Sequence, residues 1–161
     1  MTNQTPTKST VNDPLRVTRK DWIVSRESIC AGGLIIEHQI QPPNEIEAGE
    51  ISHHVLCYMQ SKFGSRQITR IDGKEYDGEI ERGYVWLKPN LAEGYTRTES
   101  SDEGLLFAIE PAFLSQVATE NDCLDSNKIE ILPVLKTRDP VLDALAMQFQ
   151  REMNHVLLSD V

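Results

Sequence analysis

The chain has 161 residues, of which 39% are hydrophobic and 25% charged, a balance typical of one ordinary folded domain rather than of a disordered or membrane-embedded chain. A formal net charge of −9 and the lack of any run of Lys or Arg exclude a phosphate-binding stripe, so we do not expect these residues to bind DNA or RNA themselves.

The three cysteines, Cys30, Cys57 and Cys123, are far apart and form no C-x-x-C pair. Such spacing indicates reduced thiols and a cytoplasmic protein. No apolar run approaches the roughly 20 residues that span a bilayer, and the N-terminus has no apolar export segment. We therefore expect neither secretion nor a membrane partner.

The first element in chain order is a polar stretch, residues 1–19, without hydrophobic periodicity. It predicts a flexible tail, because such a segment buries too little apolar surface to offset its ordering entropy. From Trp22 onward, short apolar runs rich in β-branched and aromatic residues alternate with turn signals. The runs at 22–24, 33–36 and 54–59 predict β-strands.

The middle of the chain predicts a β-hairpin. Residues 67–71 alternate in polarity, Asp72-Gly73 supplies a tight turn, and 74–76 begin the return strand. Further turn signals at Gly78 and Gly83 precede another strand, 84–87. The middle of the chain is therefore predicted to be an all-β sandwich or barrel of short antiparallel strands, within a domain of residues 20–138 that also contains a short helix near 111–121.

The last third changes to helical periodicity. Pro111 suits the first turn of a short helix, predicted over 111–121. Asp139 is a good N-cap for a longer amphipathic helix within the C-terminal segment 139–161. Apolar residues recur along it every three or four positions, namely Leu142, Leu145, Phe149 and Met153.

Residues 64–83, Gly-Ser-Arg-Gln-Ile-Thr-Arg-Ile-Asp-Gly-Lys-Glu-Tyr-Asp-Gly-Glu-Ile-Glu-Arg-Gly, followed by a strand and Pro89, resemble the cupin barrel. With His-His-Val-Leu-Cys upstream, Glu-Pro-Ala-Phe-Leu downstream and two terminal helices, the chain resembles the N-terminal domain of AraC/XylS-type transcription regulators. The resemblance implies an all-β fold, a cupin-like double-stranded β-helix (jelly-roll barrel) plus two α-helices. It also implies effector sensing and homodimerisation, with DNA bound only by a helix-turn-helix domain that these residues lack.

Many cupins are metalloenzymes, and this chain departs from their ligand pattern. No His-x-His precedes the hairpin, and Gly94 occupies the position of the later histidine. His53 and His54 are adjacent, so on a strand they point to opposite faces. We therefore expect no metal, no cofactor and no enzyme activity, although a pairing of His53 or His54 with His38 stays open.

Small antiparallel barrels often bind one ligand at the mouth. The candidate ligand-binding residues are His54, Trp86, Tyr95 and Arg97, because aromatic rings offer flat apolar walls and Arg can fork onto a carboxylate. The effector is an unidentified small molecule. Trp86 could instead be a core residue and Arg97 a solvated one.

The apolar stripe of the C-terminal helix, Leu142, Leu145, Phe149 and Met153, is the candidate dimer interface, since identical patches are self-complementary about a twofold axis. The alternative is that the helix packs on its own domain. Two other functions stay open, namely a stand-alone cupin enzyme such as an isomerase or dioxygenase, and a structural dimerisation module whose barrel is filled by its own side chains.

Overall fold

The computed structural model of the protein describes residues 7–8, 15, 20–29, 32–123, 125 and 128–159, with the backbone alone for 7–8 and 156–159. The strands are β1 (Thr7–Lys8), β2 (Ile23–Ile29), β3 (Leu34–Gln41), β4 (Asn44–Ala48), β5 (His54–Met59), β6 (Ser65–Ile71), β7 (Lys74–Ile80), β8 (Tyr84–Lys88), β9 (Gly94–Thr98), β10 (Asp102–Ile109) and β11 (Val134–Arg138). The helices are α1 (Pro111–Glu120) and α2 (Pro140–Ser159), and a short 3₁₀ turn covers Lys20–Trp22.

The strands form two sheets. One has the order β1-β4-β9-β6-β7 and the other the order β11-β8-β5-β10-β3-β2. Neighbouring strands are antiparallel, except that β1 runs parallel to β4. The predicted fold class, an all-β cupin-like barrel with two C-terminal helices, is confirmed.

The hairpin of β6 and β7 turns where the sequence predicts it. Asp72 and Gly73 both have positive φ, 47° and 75°, which is what a two-residue type I′ hairpin loop requires. Ile71 pairs with Lys74 across this turn. The register fixes which residues of β6 face inward, and Gln67, Thr69 and Ile71 are buried as a result.

One core cluster lies between the sheets and includes Ile51, Val55, Cys57, Met59 and Leu106. A second cluster joins the outer face of the β5–β10–β3 sheet to helix α2. Strand β5 serves both clusters because successive side chains point to opposite faces of a sheet.

Helix α2 begins as predicted, since Asp139 Oδ1 accepts hydrogen bonds from the backbone N–H groups of Val141 and Leu142, at 2.8 and 3.1 Å. Its apolar face packs on the sheet, where the rings of Phe149 and Phe107 meet edge-on with centroids 5.7 Å apart. Within the described ranges, neither helix combines the length and apolar character needed to cross a bilayer.

The predicted dimer interface stays a prediction, and three of its four residues pack on their own domain in this structure. Met153 is only 3% exposed, and Leu142 and Phe149 pack against the second core cluster. These three side chains cover the outer face of their own sheet, which would otherwise be exposed to water. Leu145 differs, since it is 45% exposed, as is Val141 at 65%.

The predicted flexible tail, residues 1–19, lies mostly outside the described residues. The flexibility of this segment stays a prediction, although the parts of it that the structure describes contact the rest of the chain. Thr7–Lys8 pairs with β4, and Leu15 is 3% exposed within the core between the sheets. The stretch around Leu15 has no regular hydrophobic period, so periodicity could not reveal the burial of this leucine.

Candidate functional site

A cavity of about 80 Å³ lies between the two sheets. About 10–15 Å³ of such space is enough for one water molecule, so this cavity has room for several waters or a small organic molecule. Both sheets line it, mainly through Ile46, Ala48, Ile51, Val55, Cys57, Met59, Gln67, Thr69, Ile71, Trp86, Lys88, Gly94, Thr96, Thr98, Asp102, Gly104 and Leu106. We call this space the chamber.

The wall of the chamber is mainly apolar in its middle. Trp86 lies beside Cys57 in the register of β8 and β5, and Leu106 pairs with Cys57 from the other side. Burial, with the nearby charge of Asp102, raises the pKa of the Cys57 thiol. Cys57 is therefore a packing residue rather than a reactive thiolate.

Lys88 is the most unusual residue of the chamber. It is 3% exposed, and its Nζ atom finds no hydrogen-bond partner among the described residues. A buried ammonium group without a partner costs several kcal/mol, roughly, in real proteins. Burial accordingly lowers the pKa of Lys88 to about 8, although the carboxylates of Asp72 and Glu50 oppose the shift.

Gly94 leaves room for the Lys88 side chain. A Cβ atom at position 94 would stand 2.9 Å from Lys88 Cδ and 3.0 Å from Lys88 Cε, which is closer than carbon atoms approach without repulsion. The stem of Lys88 therefore fills the space that a side chain at position 94 would need.

Several polar side chains lie at the end of the chamber opposite Lys88. Gln67 Nε2 donates to Thr69 Oγ1 at 2.7 Å, whereas the buried Thr98 Oγ1 has no partner among the described residues. Asp102 is 9% exposed, and burial raises its pKa to about 7. Its carboxyl group is therefore half protonated near neutral pH and can donate a hydrogen bond.

The strand register shows how far apart these ends are. Lys88 pairs with Val55 on β5, whereas Asp102 lies two residues beyond Gly104, which pairs with Met59. The two positions differ by six residues along the strand direction, or roughly 20 Å between backbone positions. The chamber thus has an amine at one end, a carboxyl at the other, and apolar walls between them.

A row of polar side chains on β3 reaches the carboxyl end. Glu37 and Gln39 are fully buried, and Gln39 Nε2 donates to Glu37 while Gln41 Nε2 donates to Gln39. Arg26 forms an ion pair with Glu37 at 2.7 Å. These contacts provide hydrogen-bond partners for charged and amide groups whose burial inside the barrel would otherwise cost free energy.

The amine end adjoins a surface pocket of about 350 Å³ that shares Ala48, Arg70, Gly94 and Tyr95 with the chamber. The Arg70 guanidinium lies 5.1 Å from the centroid of the Tyr95 ring. Tyr95 donates to Glu45 at 2.6 Å. Burial and this carboxylate raise the pKa of Tyr95 to about 12, so the hydroxyl stays protonated at neutral pH.

The structure separates the four predicted ligand-binding residues. Trp86 and Tyr95 line the chamber. Arg97 is exposed on the outer face of β9, and His54 is buried with its Nδ1 atom accepting the backbone N–H of Asn90 at 2.9 Å. Neither Arg97 nor His54 lines the chamber or the surface pocket.

Sequence reasoning missed Lys88, Thr98 and Asp102. One signal for Lys88 was present, because it is two residues after Trp86 and therefore on the same face of β8. A lysine on the inner face of a short strand beside a predicted core tryptophan is unusual. Thr98 and Asp102 gave no comparable signal, since both flank a turn.

The cupin fold raises the question of a metal, and the residues do not fit one. Among the described residues, no group of three or more His, Cys, Asp or Glu side chains converges as a metal site. His38 bonds to Glu103 through Nε2 at 2.7 Å. Strand β10 separates its strand from that of His54, and the two histidines lie opposite different residues of β10, Leu105 and Ile109. The amine end of the chamber instead holds the Lys88 cation, which would repel a metal ion.

No protein-family model matches the chain, and no curated protein matches it either. Solved structures are similar in fold. The plu4264 protein of Photorhabdus luminescens is 14% identical, with a TM-score of 0.45 over 65% of this chain and 94% of that chain. An oxalate decarboxylase variant of Bacillus subtilis is 15% identical, with a TM-score of 0.42 over 71% of this chain and 37% of that chain. A DMSP lyase structure is 18% identical, with a TM-score of 0.38 over 47% and 38%.

These structures correct one expectation. We expected no enzyme activity from the departures in the metal-ligand pattern, but the similar structures are mostly of enzymes by name, including a decarboxylase and a lyase. The expectation of no enzyme activity is therefore wrong. This fold is used for catalysis as well as for binding, so departures from the metal-ligand pattern do not exclude an enzyme. The chain is a cupin-fold domain with an internal chamber.

Proposed function

We propose that this chain is a ligand-binding cupin domain whose chamber takes a small, largely apolar molecule with a carbonyl or carboxylate oxygen at the Lys88 end. We further propose that it uses this binding for sensing, as in the AraC/XylS-type regulators that it resembles. The observation that carries the proposal is the buried Lys88 Nζ without a protein partner in an internal cavity.

The chemistry of the chamber supports this ligand class. A lysine amine offers hydrogen-bond donors, and a ligand oxygen would satisfy the group whose burial is otherwise uncompensated. Trp86, Ile46 and Leu106 supply apolar contact for the body of the ligand. The unpartnered Thr98 Oγ1 offers a second polar contact at the other end.

The packing of α2 supports the sensing role. Cys57 and Met59 of β5 line the chamber, whereas Tyr58, between them, faces α2 and donates a hydrogen bond to Asp143. Gln60 Nε2 donates to Gln150 of the same helix at 2.7 Å. A ligand that shifts β5 would therefore change the hydrogen bonds that hold α2 in place. Sensing requires an element with two alternative positions, and we propose that α2 is this element.

Thermal unfolding in the presence of butyrate, butanal or butanone tests binding. Binding to the native state alone stabilises it by about 2.7 kcal/mol at a hundred times the dissociation constant, which for this size raises the melting temperature by roughly 5–10 °C. We expect such a rise for at least one probe with the wild type and none with Lys88→Met. Lys62→Met, at an exposed lysine, is the matched control and should respond like the wild type.

The binding proposal fails if no probe stabilises the wild type, or if Lys88→Met responds equally. Hydrogen exchange of α2 tests sensing separately. We expect the backbone amides of α2 to change their exchange rates when a stabilising probe is bound. A raised melting temperature with unchanged exchange throughout α2 would retain binding and overturn sensing.

A further inference from the structure

The amine of Lys88 is held where it can react rather than only bind. Its side chain is 3% exposed, its stem is confined beside Gly94, and its Nζ atom has no hydrogen-bond partner among the described residues. A structural lysine normally places its amine in water or against a carboxylate. Lys88 instead lines the chamber together with apolar side chains.

The surroundings also favour the neutral amine. Desolvation lowers the pKa of Lys88 to about 8, so a substantial fraction of the amine carries a free electron pair just above neutral pH. The charged groups that act on it are Asp72 and Glu50, which favour the cation, and His54, whose own pKa is lowered by burial and by the charges of His53 and Lys88. Burial outweighs the two carboxylates.

We propose that Lys88 Nζ forms a reversible imine with the carbonyl carbon of a small aldehyde or ketone held in the chamber. This inference rests on the proposed ligand-binding function and makes it more specific. A desolvated lysine in an apolar pocket is the setting in which lysine acts as a nucleophile toward carbonyl compounds. A carboxylate, by contrast, would bind there only as an ion pair.

The step balances without a redox partner. The Nζ electron pair attacks the carbonyl carbon, a C–N bond forms, and the C=O π bond breaks. One N–H proton moves to the former carbonyl oxygen to give a carbinolamine. The hydroxyl group then leaves with the second N–H proton as water, and a C=N bond remains. One water is released for each imine formed, and addition of one water reverses the step.

The apolar walls beside the amine select the carbonyl compound. Ile51, Ile71 and Trp86 line the chamber together with Lys88, so a short aliphatic chain fits better than a charged one. The chamber of about 80 Å³ limits the partner to a small molecule. Butanal and butanone are therefore suitable probes, and butyrate is the matched compound that cannot form an imine.

The test is reductive trapping on the wild-type chain. The protein is incubated with butanal at pH 8 and treated with sodium borohydride, which converts an imine to a stable secondary amine. Peptide mass mapping then measures modification at each lysine. We expect the Lys88 peptide to be modified at an aldehyde concentration at least tenfold below that needed for the exposed Lys62 and Lys74, because exposed amines are almost fully protonated at pH 8.

A second measurement follows the trapping rate against pH. For Lys88 the rate should rise with a midpoint near 8 and level off above it, whereas the rates at exposed lysines should still be rising at pH 9. Prior unfolding in urea should abolish the preference for Lys88. The proposal is overturned if Lys88 is modified no faster than Lys62 and Lys74, or equally fast after unfolding.

The outcomes separate this inference from the proposed function. Stabilisation by butyrate or butanone without trapping at Lys88 would retain ligand binding and overturn imine formation. No stabilisation and no trapping would overturn both. Preferential trapping at Lys88, lost in urea and blocked by a stabilising probe, supports both. None of these outcomes depends on whether a Lys88 variant folds.

Discussion

Gly94 and Lys88 form a complementary pair across the two sheets, because the missing side chain of one is the space that the stem of the other occupies. A Cβ atom on Gly94 would stand 2.9 Å from Lys88 Cδ. We therefore expect Gly94→Ala to displace the Lys88 amine and to weaken probe binding at least tenfold. The methyl group should also cost about 1–3 kcal/mol of stability, as overpacking of a core does.

The control for this prediction is Gly49→Ala. A Cβ atom on Gly49 would meet nothing within 4 Å, so we expect wild-type binding and a change in stability within about 0.5 kcal/mol. Urea denaturation and titration with butanal measure both quantities. Equal binding by the two alanine variants would show that the position of Lys88 does not depend on Gly94.

Asp102 should make the protein less stable as the pH rises toward neutrality. Its pKa is about 7 in the folded chain against an ordinary value of 3.8, so between these values the folded state binds more protons than the unfolded state. The free energy of unfolding therefore falls as the pH rises from about 4 to 7. Asp102→Asn should remove most of this fall, by a few kcal/mol at about 1.4 kcal/mol per pKa unit.

Lys88 should have the opposite effect at higher pH. Its pKa is about 8 when folded against an ordinary 10.5, so between these values the unfolded state binds more protons. The free energy of unfolding therefore rises as the pH increases from about 8 to 10.5. Urea denaturation across this range should show the rise in the wild type and a flatter curve in Lys88→Met. An identical rise in both proteins would contradict the assignment.

The sequence predicted the framework better than the chamber. The hairpin at Asp72-Gly73, the barrel and both helices follow from local signals, namely alternation, turn residues and caps. The contents of the chamber depend on which strands become neighbours, and that is a long-range outcome. Lys88 and Gly94 are only six residues apart, but they contact each other because the chain crosses from one sheet to the facing sheet between β8 and β9, and no local pattern shows this crossing.

The C-terminal helix shows the same limit. The spacing of its apolar residues predicts an amphipathic helix. The spacing does not show whether the apolar face of this helix packs on its own sheet or on a second copy of the chain. In the structure, Leu142, Phe149 and Met153 pack within the second core cluster of their own domain. Arg97 also shows the limit, since a shift of one position along β9 would have turned it inward.

Removal of the Phe149 ring should loosen α2. Phe149 packs edge-on against Phe107, so we expect Phe149→Ala to lower the free energy of unfolding by about 2–4 kcal/mol, somewhat less than for a fully buried phenylalanine. Leu145→Ala, on the exposed side of the same helix, should change it by less than about 1 kcal/mol. Equal losses in the two variants would contradict the packing described for α2.

Self-association stays a prediction, now with a smaller set of residues. If two copies pair through α2, the apolar residues that remain exposed there are Val141 and Leu145. We expect a dimer that Val141→Asp combined with Leu145→Asp converts to a folded monomer, as measured by light scattering and circular dichroism. A wild-type protein that is already monomeric at micromolar concentration would contradict the prediction.

The thiol of Cys57 gives experimental access to the interior of the barrel. It is 5% exposed, whereas Cys123 is exposed, and its raised pKa further slows reaction with thiol reagents. In a chain with Cys30→Ser and Cys123→Ser, the rate at which a thiol reagent labels Cys57 would therefore report how often the two sheets separate. A molecule that fills the space between them should slow this labelling in proportion to its occupancy, even if it produces no spectroscopic signal of its own.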